Sequence, residues 1–215
     1  KALEAWKSRE TKVVQLLLQR CNSEESGLYT TDEYGSTPFM YACFYGHKDV
    51  VQLLLDHSDS NIELNAKDEL FKACKNGGTK VVQLLLKCWN SEKSGLNTKD
   101  KHGYTPFMWA CVMGQKDIVK LFLDHSEGID LNARSRLSGS TAFMIACNMG
   151  DKDIVKLLLN HSDPRIDLNV KDINGWTALM WACFYGLKDV VQLLLDNSER
   201  IDLNARSQLI GETAF

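Results

Sequence analysis

The chain has 215 residues, 44% of them hydrophobic and 25% charged, with a formal net charge of −3. That composition is close to the globular average and argues against disorder, while the acidic balance and the absence of a clustered Lys/Arg stripe argue against nucleic acid as a partner. No apolar run approaches the roughly 20 residues that a bilayer span needs, and no secretory signal opens the chain.

Taken in order, the chain repeats itself. Ala-Cys-x-x-Gly begins at Ala42, Ala73, Ala110, Ala146 and Ala182, with steps of 31, 37, 36 and 36 residues. A period in this range marks a stack of supersecondary units, each too small to bury its own apolar face. Residues 2–18 read as a truncated unit. The first intact unit starts at Asp32-Glu33-Tyr34-Gly35, with Asp at the first and Gly at the fourth position of a type I turn. Thr37-Pro38 follows as a helix cap and first helical residue, which predicts a short helix over 38–45 stopped at Gly46. A second helix starts near Lys48-Asp49 and continues through Val50-Val51-Gln52-Leu53-Leu54-Leu55, apolar around most of its circumference. That pattern suits a helix wedged between its partner and both neighbouring units rather than one on a domain surface.

The next unit is damaged. Five residues are missing between Asn65 and Ala73 relative to Asn97–Ala110, and with them the turn Gly and the Thr-Pro pair. A stunted turn capped by Asp68 is expected there. The turn and cap return at Asp100…Gly103 with Thr105-Pro106, at Thr141-Ala142, and at Asp172…Gly175 with Thr177-Ala178. Residues 11–58 match 79–126 at 32 of 48 positions, a duplicated block of one damaged and one intact unit. The start at Lys1 without Met, and the end inside a motif at Thr213-Ala214-Phe215, suggest a fragment of something longer.

The composite pattern D-x-x-G-x-T-P-F-M-x-A-C-x-x-G-x-x-D-[VI]-V-x-L-[LF]-L resembles the ankyrin repeat over nearly the whole chain. The resemblance implies an all-α solenoid of antiparallel helix pairs with short β-hairpin fingers and an L-shaped cross-section. On this reading residues 1–215 form a single ankyrin-repeat domain. Its approximate repeats are 1–29 (truncated at the start), 30–63, 64–96 (with a shortened finger), 97–131, 132–168, 169–203 and a partial 204–215. Met40, Met108, Met144 and Met180 stand where the family usually has His. The period is 36 rather than the family's roughly 33. The fingers at Ser135–Gly139 and Ser207–Gly211 carry one extra residue.

Little in the chain points to chemistry. Cys43, Cys74, Cys111, Cys147 and Cys183 hold one slot in successive units, about 8–10 Å apart if stacked, beyond the roughly 7 Å limit of a bridged pair. They read as small buried hydrophobes, and their free thiols, with Cys21 and Cys88, point to an intracellular, cytoplasmic setting, the nucleus included. Asp56-His57-Ser58 and Asp124-His125-Ser126 hold the residue types of a hydrolase triad, but consecutive residues at a helix end diverge. His47 and His102 are lone histidines without a ligand partner at helical spacing. No catalytic residue, metal or cofactor is expected. Asn65, Asn132, Asn169 and Asn204 each follow an acidic–aliphatic pair and read as hairpin residues satisfying local backbone. The family resemblance also implies them as targets of a 2-oxoglutarate-dependent asparaginyl hydroxylase.

Slots that vary between repeats are candidates for partner contact. The tips carry Tyr34, His102 and Asn174. Between Gly and Thr stand Ser36, Tyr104, Ser140, Trp176 and Glu212. Before the helix stop come Phe44-Tyr45, Val112-Met113, Asn148-Met149 and Phe184-Tyr185. The resemblance implies that these slots line a concave groove, and aromatic residues are the usual anchors of interfaces. Tyr41, Trp109 and Trp181, beside Ala in the short helices, read mainly as packing, with their edges as further candidates to reach the groove. The expected function is a non-enzymatic, monomeric scaffold that binds another protein or peptide through its concave surface and fingers. Two rivals are an engineered, consensus-like framework with no native partner, and a substrate-recruiting module of a larger enzyme or effector.

Overall fold

A computed structural model describes residues 31–33, 36–56, 60–88, 94–125, 127–161 and 166–207, with side chains omitted over 60–65. The chain divides by its contacts into two compact units. The first comprises Lys1–Ala73 with Gly78–Gly95, the second Cys74–Gly77 with Leu96–Phe215. The described residues contain helices and turns and no strand.

In the first unit α1 (Pro38–Phe44) is followed by α2 (Lys48–Asp56), α3 (Ser60–Asn76) and α4 (Thr79–Cys88). Thr37 holds extended backbone at φ −87°, and its hydroxyl accepts from the Met40 N–H, so the first turn of α1 starts capped. Pro38 at the first position loses no hydrogen bond, because that N–H has no helical partner anyway. Phe39, Ala42 and Cys43 are buried on α1, and Val50, Val51, Leu54 and Leu55 on α2, where the two helices pack together and against α4.

The damaged repeat departs from expectation. In place of a stunted finger capped by Asp68, α3 runs unbroken for 17 residues, and Asp68 lies exposed in its interior. With Gly and Thr-Pro deleted, no residue in Asn65–Lys72 disfavours helix strongly, so nothing stops propagation. Ala66, Leu70, Ala73 and Cys74 point inward at helical spacing.

A 3-10 turn over Ser94–Asn97 spans the boundary at Gly95, and the second unit continues with three helix pairs. These are α5 (Pro106–Val112) with α6 (Lys116–Asp124), α7 (Ala142–Met149) with α8 (Lys152–Asn160), and α9 (Ala178–Phe184) with α10 (Lys188–Leu195). The short helices stack α5 on α7 on α9, and the longer ones stack α6 on α8 on α10. Ala110, Ala146 and Ala182 are fully buried between the stacked short helices, where a larger side chain would overpack by about 1–3 kcal/mol. Phe107 packs edge-on to Phe122 at 5.6 Å, joining the two layers of one repeat.

Each short helix begins at an extended Thr whose hydroxyl accepts from the N–H three residues on: Thr105, Thr141 and Thr177. The methionines explain how the family's His is replaced. Met40, Met108 and Met180 each turn Sδ back to accept from the N–H of their own cap Thr at 3.4 Å. This is a capping box built with a soft sulfur acceptor in place of a carboxylate or amide.

Candidate functional site

The fingers of the second unit are tight turns organised by aspartate. Asp100 Oδ1 accepts from the N–H groups of His102 (2.9 Å) and Tyr104 (3.0 Å), and Oδ2 accepts from the Trp109 indole at 2.9 Å. Asp172 repeats the arrangement with Asn174 and Trp176 (both 2.8 Å) and the Trp181 indole at 3.1 Å. In the first unit Asp32 takes the N–H of Ser36 and the Tyr41 hydroxyl. Tyr41, Trp109 and Trp181 therefore do more than pack: each ties a finger to the middle of its helix. Burial alone would push the Asp100 carboxyl up, but the Trp109 indole and the N–H groups of Tyr104 and His102 together hold it below the usual carboxylate range.

Neighbouring fingers interlock. Arg136 N–H donates to the His102 carbonyl at 3.0 Å, and Ile173 N–H to the Ser138 carbonyl at 3.0 Å. Gly103 sits at φ +81°, and a Cβ there would lie 2.3 Å from the Arg136 nitrogen, so the finger contact requires glycine. Behind the fingers, Asn97 donates to the Gly128 carbonyl at 2.6 Å and accepts from Asp130 N–H at 2.8 Å. Asn132 accepts from Asp167 N–H at 2.9 Å, and Asn169 bridges the Arg200 carbonyl and Asp202 N–H. These bonds span 31–35 residues, from the first residue of each repeat to its closing residues, rather than satisfying local backbone as the sequence suggests. Asn204 is exposed, and Asn65 lies within α3 with its side chain outside the described residues.

Between fingers and short helices the second unit holds an open cleft of about 460 Å³. His102, Tyr104, Val112, Ser140, Asn148 and Met149, all candidates from the sequence, line it. Trp109 and Trp181, read from the sequence mainly as packing with their edges toward the groove, line it too, as do Leu137, Ser138, Met144 and Ile145, which were not expected there. The slot shared by Tyr41, Trp109, Ile145 and Trp181 varies between repeats as the binding slots do, and that variation was the available signal. Leu137, two-thirds exposed, belongs to the finger with the extra residue.

The remaining candidates fall in two places. Phe184 (66% exposed) and Tyr185 (53% exposed) adjoin Trp176 and Trp181, with ring centroids at 4.6 Å (Trp176–Trp181), 5.2 Å (Trp176–Phe184) and 5.8 Å (Trp181–Tyr185). Trp176 and Asn174 are half-buried there, and Met113 is exposed at the end of α5. In the first unit Phe44 is 77% exposed, and Tyr45 stacks between Tyr41 (6.2 Å) and His47 (5.8 Å). Ser36 is half-buried; Tyr34 lies outside the described residues. His47 is half-buried rather than exposed, its Nε2 buried and without a hydrogen-bond partner.

Of the two hydrolase-like triplets the described residues include Asp56, Asp124 and His125. His125 is exposed with Nδ1 3.0 Å from the Leu121 carbonyl, while His57, Ser58 and Ser126 lie outside the described residues. Among the described residues no three His, Cys, Asp or Glu side chains gather as a metal site, and no helix is long and apolar enough to cross a membrane. Cys43, Cys74, Cys88, Cys111 and Cys147 are free and buried, and Cys183 is half-buried.

This geometry of capped short helices, interlocked turns and a small-residue seam defines a helical repeat class. A family model described as ankyrin repeats (3 copies) matches residues 3–68, 63–135 and 132–207, and the chain belongs to the ankyrin-repeat family. It is 28% identical over 117 residues to "Protein fem-1 homolog A-like" of Mus musculus, a match covering 54% of this chain and 17% of that protein. It is 31% identical over 96 residues to "Putative ankyrin repeat protein FPV223" of fowlpox virus, covering 45% of this chain and 65% of the viral protein. It is 30% identical over 69 residues to "Scaffold protein ILK" of Homo sapiens, covering 32% of this chain and 14% of the human protein. Ankyrin repeats generally mediate protein–protein interaction, and the family is generally non-enzymatic.

Proposed function

We propose that this chain is a non-enzymatic scaffold segment that grips a partner protein or peptide in the cleft of its second unit. The observation that carries the reading is a contrast between two sets of side chains. Apolar residues common to the repeats are buried or half-buried, whereas Met113, Met149, Phe184 and Tyr185, in the slots that differ, stand 47–66% exposed beside an aromatic-walled cleft. Apolar groups of that size gain by being covered, and a few such anchors dominate the affinity of an interface. Phe44 and Tyr45 offer the same slot in the first unit. Nothing in the cleft offers a nucleophile with a base beside it, so recognition accounts for its residues better than reaction does.

The test is selection from a displayed random-peptide library against the full chain, compared with Phe184→Ser/Tyr185→Ser and with Lys120→Ser on the outer helix α6. Loss of two exposed anchors is expected to weaken the selected peptides by about 30-fold or more, while the melting temperature moves by less than about 2 °C. Equal binding by the double variant, or a collapse in its stability, would refute the assignment.

A further inference from the structure

We propose that the segment accepted by this cleft is acidic, its carboxylates seated on a row of cations along the fingers of the second unit; this rests on the reading that the cleft binds a peptide. Within 97–104, 132–140, 169–176 and 204–207 the sequence places six cations and two aspartates, in a chain whose net charge is −3. Both aspartates, Asp100 and Asp172, already accept three hydrogen bonds within their own repeats, two from finger N–H groups and one from a helix indole. Three of the six cations are held from finger to finger. Lys99 Nζ donates to the Arg134 carbonyl at 3.0 Å, Arg134 to the Lys171 carbonyl, and Lys171 Nζ to the Arg206 carbonyl at 3.0 Å. A carbonyl partner fixes a side chain without neutralising it. Among the described residues of this unit the ion pairs are Lys116–Asp153 and Lys152–Asp189, both between the longer helices, and none involves a finger cation.

Lys101 and Arg136 are exposed and adjoin His102 and Leu137, which line the cleft. An apolar anchor in the cleft therefore brings its flanking residues beside Lys101 and Arg136, at the cleft end of the cation-rich fingers. Repeats stack at roughly 10 Å, about three residues of extended chain, so acidic side chains every third position would match the row. Held cations oppose a basic segment and hasten an acidic one, giving selectivity as well as rate.

The experiment selects peptides from a random library on the full chain and titrates the enriched ones by fluorescence. The expected result is peptides with an aromatic or aliphatic anchor and net negative charge. Their affinity should fall about tenfold in Lys101→Glu/Arg136→Glu and fall likewise as salt rises from about 0.1 to about 1 M, where screening shortens from about 10 to about 3 Å. Neutral or basic peptides whose binding is lost in Phe184→Ser/Tyr185→Ser would overturn the acidic assignment and leave the binding reading standing. No enrichment would overturn both. A uridine oligonucleotide bound as tightly as the peptides would also overturn it, by making the cation row a phosphate site.

Discussion

Asp100 and Asp172 show how much one side chain can do when its two oxygens face different elements. One oxygen closes the turn through two N–H groups; the other reaches an indole nine residues on. Because Asp100 is held below its ordinary pKa, its contribution to stability is present above about pH 3.9 and lost as pH falls through the lower folded value. Asp100→Ala is therefore expected to lower the melting temperature at pH 7, and the gap from the unsubstituted chain should close as the pH falls through the lowered folded-state pKa. A gap that stays constant with pH would mean the carboxylate charge is not what stabilises the finger. The turn itself was legible, since Asp and Gly three apart need only local chemistry. The indole contact was not, because it depends on the finger folding back over its own helix. The methionine caps were hidden for a similar reason: Met carries no sequence signature of an acceptor, and only the rotamer reveals Sδ against the Thr N–H.

At the level of elements, punctuation decides the outcome. Where Gly, Thr and Pro stand, helices start and stop within a residue or so of the expected positions, as at Pro38–Phe44 and Pro106–Val112. Where the deletion removed them, α3 absorbs the whole joint into one helix. The misreading of Asp68 as a cap came from assuming that a repeat missing its finger must still bend. If α3 is continuous, Lys67→Pro should cost about 3 kcal/mol, far more than Lys67→Ala. Denaturant titration with circular dichroism would measure both; similar small losses would mean that the chain is already broken there.

For the molecule as a whole, the buried thiols report on how its layers open. Burial pushes Cys147 and Cys111 well above the ordinary thiol range, with Asp151 adding to the shift at Cys111, so both stay protonated and sheltered at neutral pH. Cys183, half-buried at the end of the same slot, is raised by burial as well but meets solvent. An alkylating reagent at pH 8, followed by peptide mass spectrometry, should therefore modify Cys183 first and reach Cys111 and Cys147 only when the second unit unfolds. Simultaneous labelling of all three would show that the unit opens as one piece. Six of the candidate slots were found lining the cleft because variation against a constant background marks the faces a fold leaves to other uses. Trp109 and Trp181 read mainly as packing, with only their edges toward the groove, because a bulky aromatic beside Ala looks the same whether it fills a core or walls a groove.

The asparagine catches behind the fingers carry a final implication. Asn97, Asn132 and Asn169 each fasten onto backbone 31–35 residues downstream. Each of these three layers thus carries its own clasp at a fixed spacing. A gene encoding such an array can gain or lose one module in frame and still give a chain that closes. The length of the array is then free to drift while the rule for joining stays the same.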